Sequence, residues 1–95
     1  MTNTQRQSEV EIQVRQKTLP LFKVIVWNDE IHSTVEVTII LMRIFRLDVN
    51  RAKQIMWCAH KTGRAVCLTN LHIERAELYC VQLHSYGLTA SIEPA

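Results

Sequence analysis

The chain has 95 residues, 47% hydrophobic and 21% charged, with only two glycines and two prolines; this suits one compact domain and excludes a multi-domain enzyme, a disordered linker or a collagen-like repeat. Eleven basic against nine acidic residues leave a formal charge of +2, too small and too mixed in sign for a partner held by phosphate neutralisation, so no nucleic acid is expected. No run approaches the roughly 20 apolar residues that span a bilayer, and no secretory or Arg- and Ser-rich transit leader opens the chain, so no membrane is expected and the bacterial cytoplasm is the expected compartment.

Residues 1–19 are polar, with Glu9, Glu11, Arg15 and Lys17 around a thin alternation of Val10, Ile12 and Val14. They read as a flexible arm ahead of a core domain over 20–95. After Pro20, the β-branched and aromatic run FKVIVW (22–27) predicts a central strand, which Asn28, Asp29 and Glu30 end as turn formers. Ser33 and Glu36 have the spacing of a capping box and predict a helix from about Thr34 to Phe45, with Val37, Ile40, Leu41, Ile44 and Phe45 toward the core. Its cluster of Val35, Val37, Thr38, Ile39 and Ile40 is poor for intrinsic helicity and equally compatible with a strand, so burial has to override propensity.

Asp48 is the expected cap of a second helix that carries Ala52, Ile55, Met56 and Ala59 on one face and stops at Gly63. AVCLT (65–69) predicts a short strand. Asn70 then caps a third helix with Ile73, Ala76, Cys80, Val81 and Leu83 available for packing, Gly87 closes it, and LTASI (88–92) adds the last strand. The order β-α-α-β-α-β predicts an α+β domain in which a three-stranded antiparallel sheet packs against three helices.

Histidines, cysteines and acids invite an enzyme or metal reading that the spacing does not support. Cys58 and His60 are two apart on a predicted helix and cannot share a face. Cys58, Cys67 and Cys80 provide no C-x₂₋₄-C pair, so no metal or other cofactor is expected, and the three thiols read as reduced core hydrophobes. Glu74 and Glu77 have neither a nucleophile nor a phosphate-cradling glycine loop beside them, and His32 next to Ser33 does not make a triad, so no catalysis is expected. What remains is the turn WNDEIHS and the helical MWCAH. Polar groups between a buried strand and an apolar helix are either turn caps or binding groups, and His60, four residues after Met56, shares its face.

On FKVIVWNDE, DVNRAKQIMWCAHKTGRAVC and AELY, the chain resembles the ClpS family over roughly residues 20–93. The most specific pieces are the strand that ends in Asn28-Asp29-Glu30 and the spacing of Ala52, Gln54, Met56, His60, Gly63, Ala65 and Cys67. These small adaptors deliver substrates with destabilising N-terminal residues to the Clp AAA+ protease. The resemblance implies that Asn28 and His60 hydrogen-bond a substrate's α-amine and nearby backbone while Asp29 faces it with a carboxylate. Thr34, Val37, Met56, Ala59 and Leu88 would line the hydrophobic pocket, with Glu30 and His32 at its rim.

The implied partners are substrate proteins that begin with Leu, Phe, Tyr or Trp and a Clp ATPase of the ClpC kind. ATPase docking falls on Lys61, Arg64, Glu74 and Glu77. The chain departs from the better-known bacterial pattern: Glu30 stands where Asp is usual, His32 and Ser33 replace Thr-Pro, Thr34 replaces Met, and Ala59 stands where Val is common. The short Tyr86-Gly87-Leu88 turn resembles the cyanobacterial and plastid form. Two rival readings are a binding module resembling the C-terminal domain of the ribosomal stalk protein and a small amine- or peptide-processing enzyme.

Overall fold

The computed structural model describes residues 19–95, so the expected arm lies outside the described residues except at Leu19. Six elements follow in the expected order: β1 (Phe22–Trp27), α1 (Thr34–Phe45), α2 (Val49–Thr62), β2 (Arg64–Leu71), α3 (Ile73–Ser85) and β3 (Ala90–Pro94). The strands form one antiparallel sheet in the order β2-β1-β3, with β1 central. This is the expected α+β fold.

Local chemistry sets the helix ends. Ser33 Oγ accepts from the Glu36 N–H at 3.1 Å and Glu36 Oε1 accepts from the Ser33 N–H at 3.4 Å, a completed capping box. With Ile40 and Leu41 buried in the core, this holds the β-branched stretch as helix α1. Buried Thr38 donates its hydroxyl to the Thr34 carbonyl at 2.7 Å, which satisfies the polar group inside the helix. On α2, Asp48 Oδ1 accepts from the Arg51 N–H at 2.8 Å, and Ala52, Ile55, Met56 and Ala59 are all buried. Gly63 ends α2 in the left-handed region, at φ 97°, where a glycine carries no steric penalty.

Several expectations need correction. Asn70 is not a helix cap: β2 continues to Leu71, which pairs with Phe22, and Asn70 sits at φ 59° where the register between β1 and β2 shifts. Asn tolerates this left-handed conformation better than most side chains, so it absorbs the irregularity while strand pairing extends past it. The residue before α3 is His72, with no side-chain cap hydrogen bond. β3 begins at Ala90 rather than Leu88 because Gly87 and Leu88 are used to end α3. Val81 is 62% exposed, since Ala76 and Leu83, seven apart, form a buried stripe that it misses, and Ile73, the first residue of the helix, is also exposed. Cys58 is exposed rather than a core hydrophobe; Cys67 is buried and Cys80 intermediate.

Val24, Ile25 and Val26 are successive in β1 and all essentially inaccessible, so both faces of the central strand are covered. Val24 and Val26 join the core shared with the helices. Ile25 faces the other way, in register with Val66 and Ser91. Beside it, Trp27 donates its indole N–H to Ser91 Oγ at 2.8 Å. The Arg64 guanidinium lies 4.9 Å from the Trp27 ring centroid and forms a two-point ion pair with Glu93, both contacts at 2.8 Å. Arg64 thus reaches from β2 past the central strand to β3.

Candidate functional site

The Asn28 N–H donates to the Gly63 carbonyl at 2.8 Å, which ties the loop leaving β1 to the residue that stops α2. It brings the Asn28 turn beside the helical face that carries Met56, Ala59 and His60. From the opposite side, α3 ends in a Schellman motif: the Gly87 N–H donates to the His84 carbonyl at 2.9 Å and the Leu88 N–H to the Leu83 carbonyl at 3.1 Å, with Gly87 at φ 84°. The motif turns Leu88 back into the core. The first turn of α1 supplies Thr34 and Val37.

These segments enclose a cavity of about 320 Å³. Asn28, Asp29, Glu30, His32, Thr34, Val37, Met56, Ala59, His60 and Leu88, scattered over four segments of sequence, all line it. Val26, Trp27 and Ser33 line it as well. Their one sequence signal is adjacency, Val26 and Trp27 directly before Asn28 and Ser33 directly after His32. The floor is apolar, made by the buried Val26, Met56, Ala59 and Leu88. At the mouth, Asn28, Glu30 and His60 are exposed. Among the described residues, none of these three side chains has a hydrogen-bond partner. The His60 ring meets the Trp57 ring edge-on, with centroids 5.6 Å apart and planes at 80°.

Asp29 is differently placed. Its Oδ1 accepts from the Ile31 N–H at 2.5 Å and the His32 N–H at 3.3 Å, while Oδ2 faces His32 Nδ1. Burial acts to raise the Asp29 pKa, but the Ile31 and His32 hydrogen bonds outweigh it and hold the carboxyl below its ordinary 3.8. The hydrogen bond to Asp29 raises His32 above its ordinary 6.5, against a smaller opposing effect of burial. Asp29 is therefore a turn cap as well as a wall of the cavity.

The residues expected at a docking face are not equivalent. Lys61, Glu74 and Glu77 are exposed, whereas Arg64 is engaged with Glu93 and Trp27. Glu74 also borders a hollow lined by Leu19, Pro20, Phe22, His72 and Ile73. Among the described residues, no cluster of His, Cys, Asp and Glu could hold a metal, and no helix is long and apolar enough to cross a membrane.

Fold and cavity together define a small α+β binding domain, which offers an apolar slot beneath unpaired polar groups. A family model described as the ATP-dependent Clp protease adaptor protein ClpS matches residues 17–91. The ATP-dependent Clp protease adapter protein ClpS of Synechococcus elongatus is 38% identical over 85 residues, covering 88% of each chain. The chloroplastic adapter protein CLPS1 of Arabidopsis thaliana is 34% identical over 98% of this chain, which spans 58% of that longer protein. Among solved structures, Agrobacterium tumefaciens ClpS2 bound to L-phenylalaninamide superposes with a TM-score of 0.76 at 27% identity, over 80% of this chain and 98% of that one. The chain belongs to the ClpS family. Members are non-enzymatic adaptors of the Clp AAA+ ATPases, and this protein is such an adaptor in Clp-dependent proteolysis. The stalk-domain and enzyme readings fall away.

Proposed function

We propose that the cavity receives the first residue of a substrate protein, with a bulky hydrophobic side chain, and that the adaptor passes that protein to a Clp ATPase of the ClpC kind. The observation that carries this reading is the pairing of an apolar floor with unpartnered Asn28, Glu30 and His60 at its mouth. A chain terminus is where an apolar side chain and an ammonium leave the same carbon, and the ammonium offers three donors and no acceptor. Asn28 and His60 accept from it, Glu30 supplies a free carboxylate, and Asp29 adds negative charge while holding the loop. His60 performs this role as the neutral ring, because the imidazolium has no accepting nitrogen.

A volume of about 320 Å³ lies at the small end of ligand sites and suits one side chain with its backbone rather than a longer peptide. Leu, Phe, Tyr and Trp are the proposed first residues, with the short Thr34 and Ala59 leaving room for the aromatic ones. L-Phenylalaninamide, held by the Agrobacterium relative, presents a Phe side chain and a free α-amine together. The cyanobacterial and chloroplast relatives are adapters of the ATP-dependent Clp protease, which supports a Clp ATPase as the recipient. In this scheme Lys61, Arg64, Glu74 and Glu77 dock the ATPase, residues 1–19 assist transfer, and the cytoplasm is the working compartment.

Fluorescence anisotropy with peptides that differ only at residue one tests the reading. Leu, Phe, Tyr and Trp peptides should bind, an Ala peptide should not, and N-terminal acetylation should abolish binding. His60→Ala should weaken binding by more than ~1.5 kcal/mol, the lower range for a hydrogen bond to a charged group. Binding that survives acetylation would overturn amine recognition, and equal affinity for Ala and Phe peptides would overturn the apolar slot.

A further inference from the structure

We propose that His32, as an imidazolium, is a positioning residue that clamps two walls of the cavity together and couples substrate capture to pH; the capture half of this rests on the reading above. The His32 ring stands between two groups that only accept hydrogen bonds. Nδ1 faces the Asp29 carboxylate, and Nε2 is 3.0 Å from the Tyr86 carbonyl oxygen. A neutral imidazole carries one N–H and can serve only one of them; the imidazolium donates to both. Asp29 is fixed for this role by the Ile31 and His32 backbone N–H groups on its other oxygen.

The receiving wall fits the ring closely. Tyr86 is the C-cap of α3, and a Cβ built on the next residue, Gly87, would lie 3.2 Å from His32 Cε1. Gly87 is thus required twice, by its φ of 84° and by the approach of the ring. The clamp joins residues 54 apart in sequence: the loop that carries Asn28 and Glu30 on one side, and the turn that aims Leu88 into the cavity on the other. Asp29 from the same loop and Glu36 from α1 attract the cation, the α3–β3 turn adds a carbonyl, and His60 of α2 lines the same cavity. The upward displacement of the His32 pKa has the direction that this surrounding demands. As pH rises past that value one N–H is lost, and an acceptor is left facing a lone pair.

The experiment is an NMR titration of the histidine rings and backbone amides in the full chain, as wild type and His32→Gln, without and with a Phe-initiated peptide. The His32 midpoint should exceed 6.5, and the Gly87 and Leu88 amides should move with the same midpoint. By reciprocity of linkage, saturating peptide should raise the midpoint, matching an affinity about fivefold to tenfold higher for the protonated protein. His32→Gln should silence the Gly87 and Leu88 titration and weaken binding by a similar factor at about pH 6, with the deficit closing by about pH 8.5. The affinity ratio between the two proteins cancels titration of the peptide amine, which is common to both measurements. A ring that titrates at or below 6.5, or Gly87 and Leu88 amides that ignore it, overturns the clamp with or without peptide. A ratio constant across pH overturns its role in capture. If no peptide binds the wild type, the reading of the cavity fails instead, and ring and amide titrations still decide the clamp.

Discussion

Asn28, Asp29 and Glu30 are adjacent, yet the fold assigns them different work. Asn28 and Glu30 leave their side chains unspent at the mouth of the cavity, while both Asp29 oxygens are consumed by the loop itself. The Asp29–His32 pair makes stability depend on pH in two directions. Asp29, lowered from 3.8, contributes stability that is present above that value and lost as pH falls through the lower folded one. His32, raised from 6.5, contributes stability that is present below that value and lost as pH rises through the higher folded one. The pair should therefore contribute most between 3.8 and 6.5. Urea midpoints of wild type and His32→Gln should differ more at about pH 5 than at about pH 8.5, and a gap independent of pH would show that folding leaves the His32 pKa unshifted. Asn28 and His60 are legible as candidates because turn chemistry and the i, i+4 spacing from Met56 mark them. The clamp is not, since its second anchor is a carbonyl oxygen 54 residues away.

The helices show how end chemistry and burial share the task of setting an element. α1 forms from a stretch with strand-like composition because both halves of the capping box close and its apolar face is covered. α3 has neither aid at its start: His72 occupies the N-cap with φ −65° and ψ 153° but makes no side-chain hydrogen bond. The backbone is already in the extended conformation that a capping serine adopts. His72→Ser should raise stability by about 0.5–1 kcal/mol, read as a higher urea midpoint with an unchanged slope. No gain would mean that the exposed N–H groups of the first turn are already satisfied by water. At the other end of α3, the Schellman motif does more than stop a helix, because its last residue, Leu88, becomes the cavity wall.

Across the molecule, the helices cover one face of the sheet, while Trp27, Arg64 and Glu93 form a connected cluster across the three strands. This arrangement gives Arg64 an intramolecular role, as the link between Trp27 and Glu93. Tertiary burial also separates the three thiols, which are alike in composition. Cys67 is buried, and desolvation pushes its pKa up to about 12, so the thiolate that reacts is scarce. Burial raises Cys80 as well, and Cys58 is exposed beside Thr62. A thiol reagent at about pH 8 should label Cys58 first, Cys80 more slowly and Cys67 only on unfolding, as followed by mass spectrometry. Labelling of Cys67 at the Cys58 rate would show that the core opens locally.

Periodicity and capping residues were enough to specify the element order, both well-capped helices and the buried face of α2, because these depend on neighbours three or four positions away. The resemblance to the ClpS family, rather than any local pattern, named most of the residues that line the cavity. The end of β2, the start of β3 and the fates of Asn70, Val81 and Cys58 depended on strand pairing and on which side of a helix meets the core. The same holds for the engagement of Arg64 with Glu93 and of His32 with Tyr86. These contacts join residues far apart in sequence, and a local pattern carries no information about a partner that only folding brings within hydrogen-bond distance.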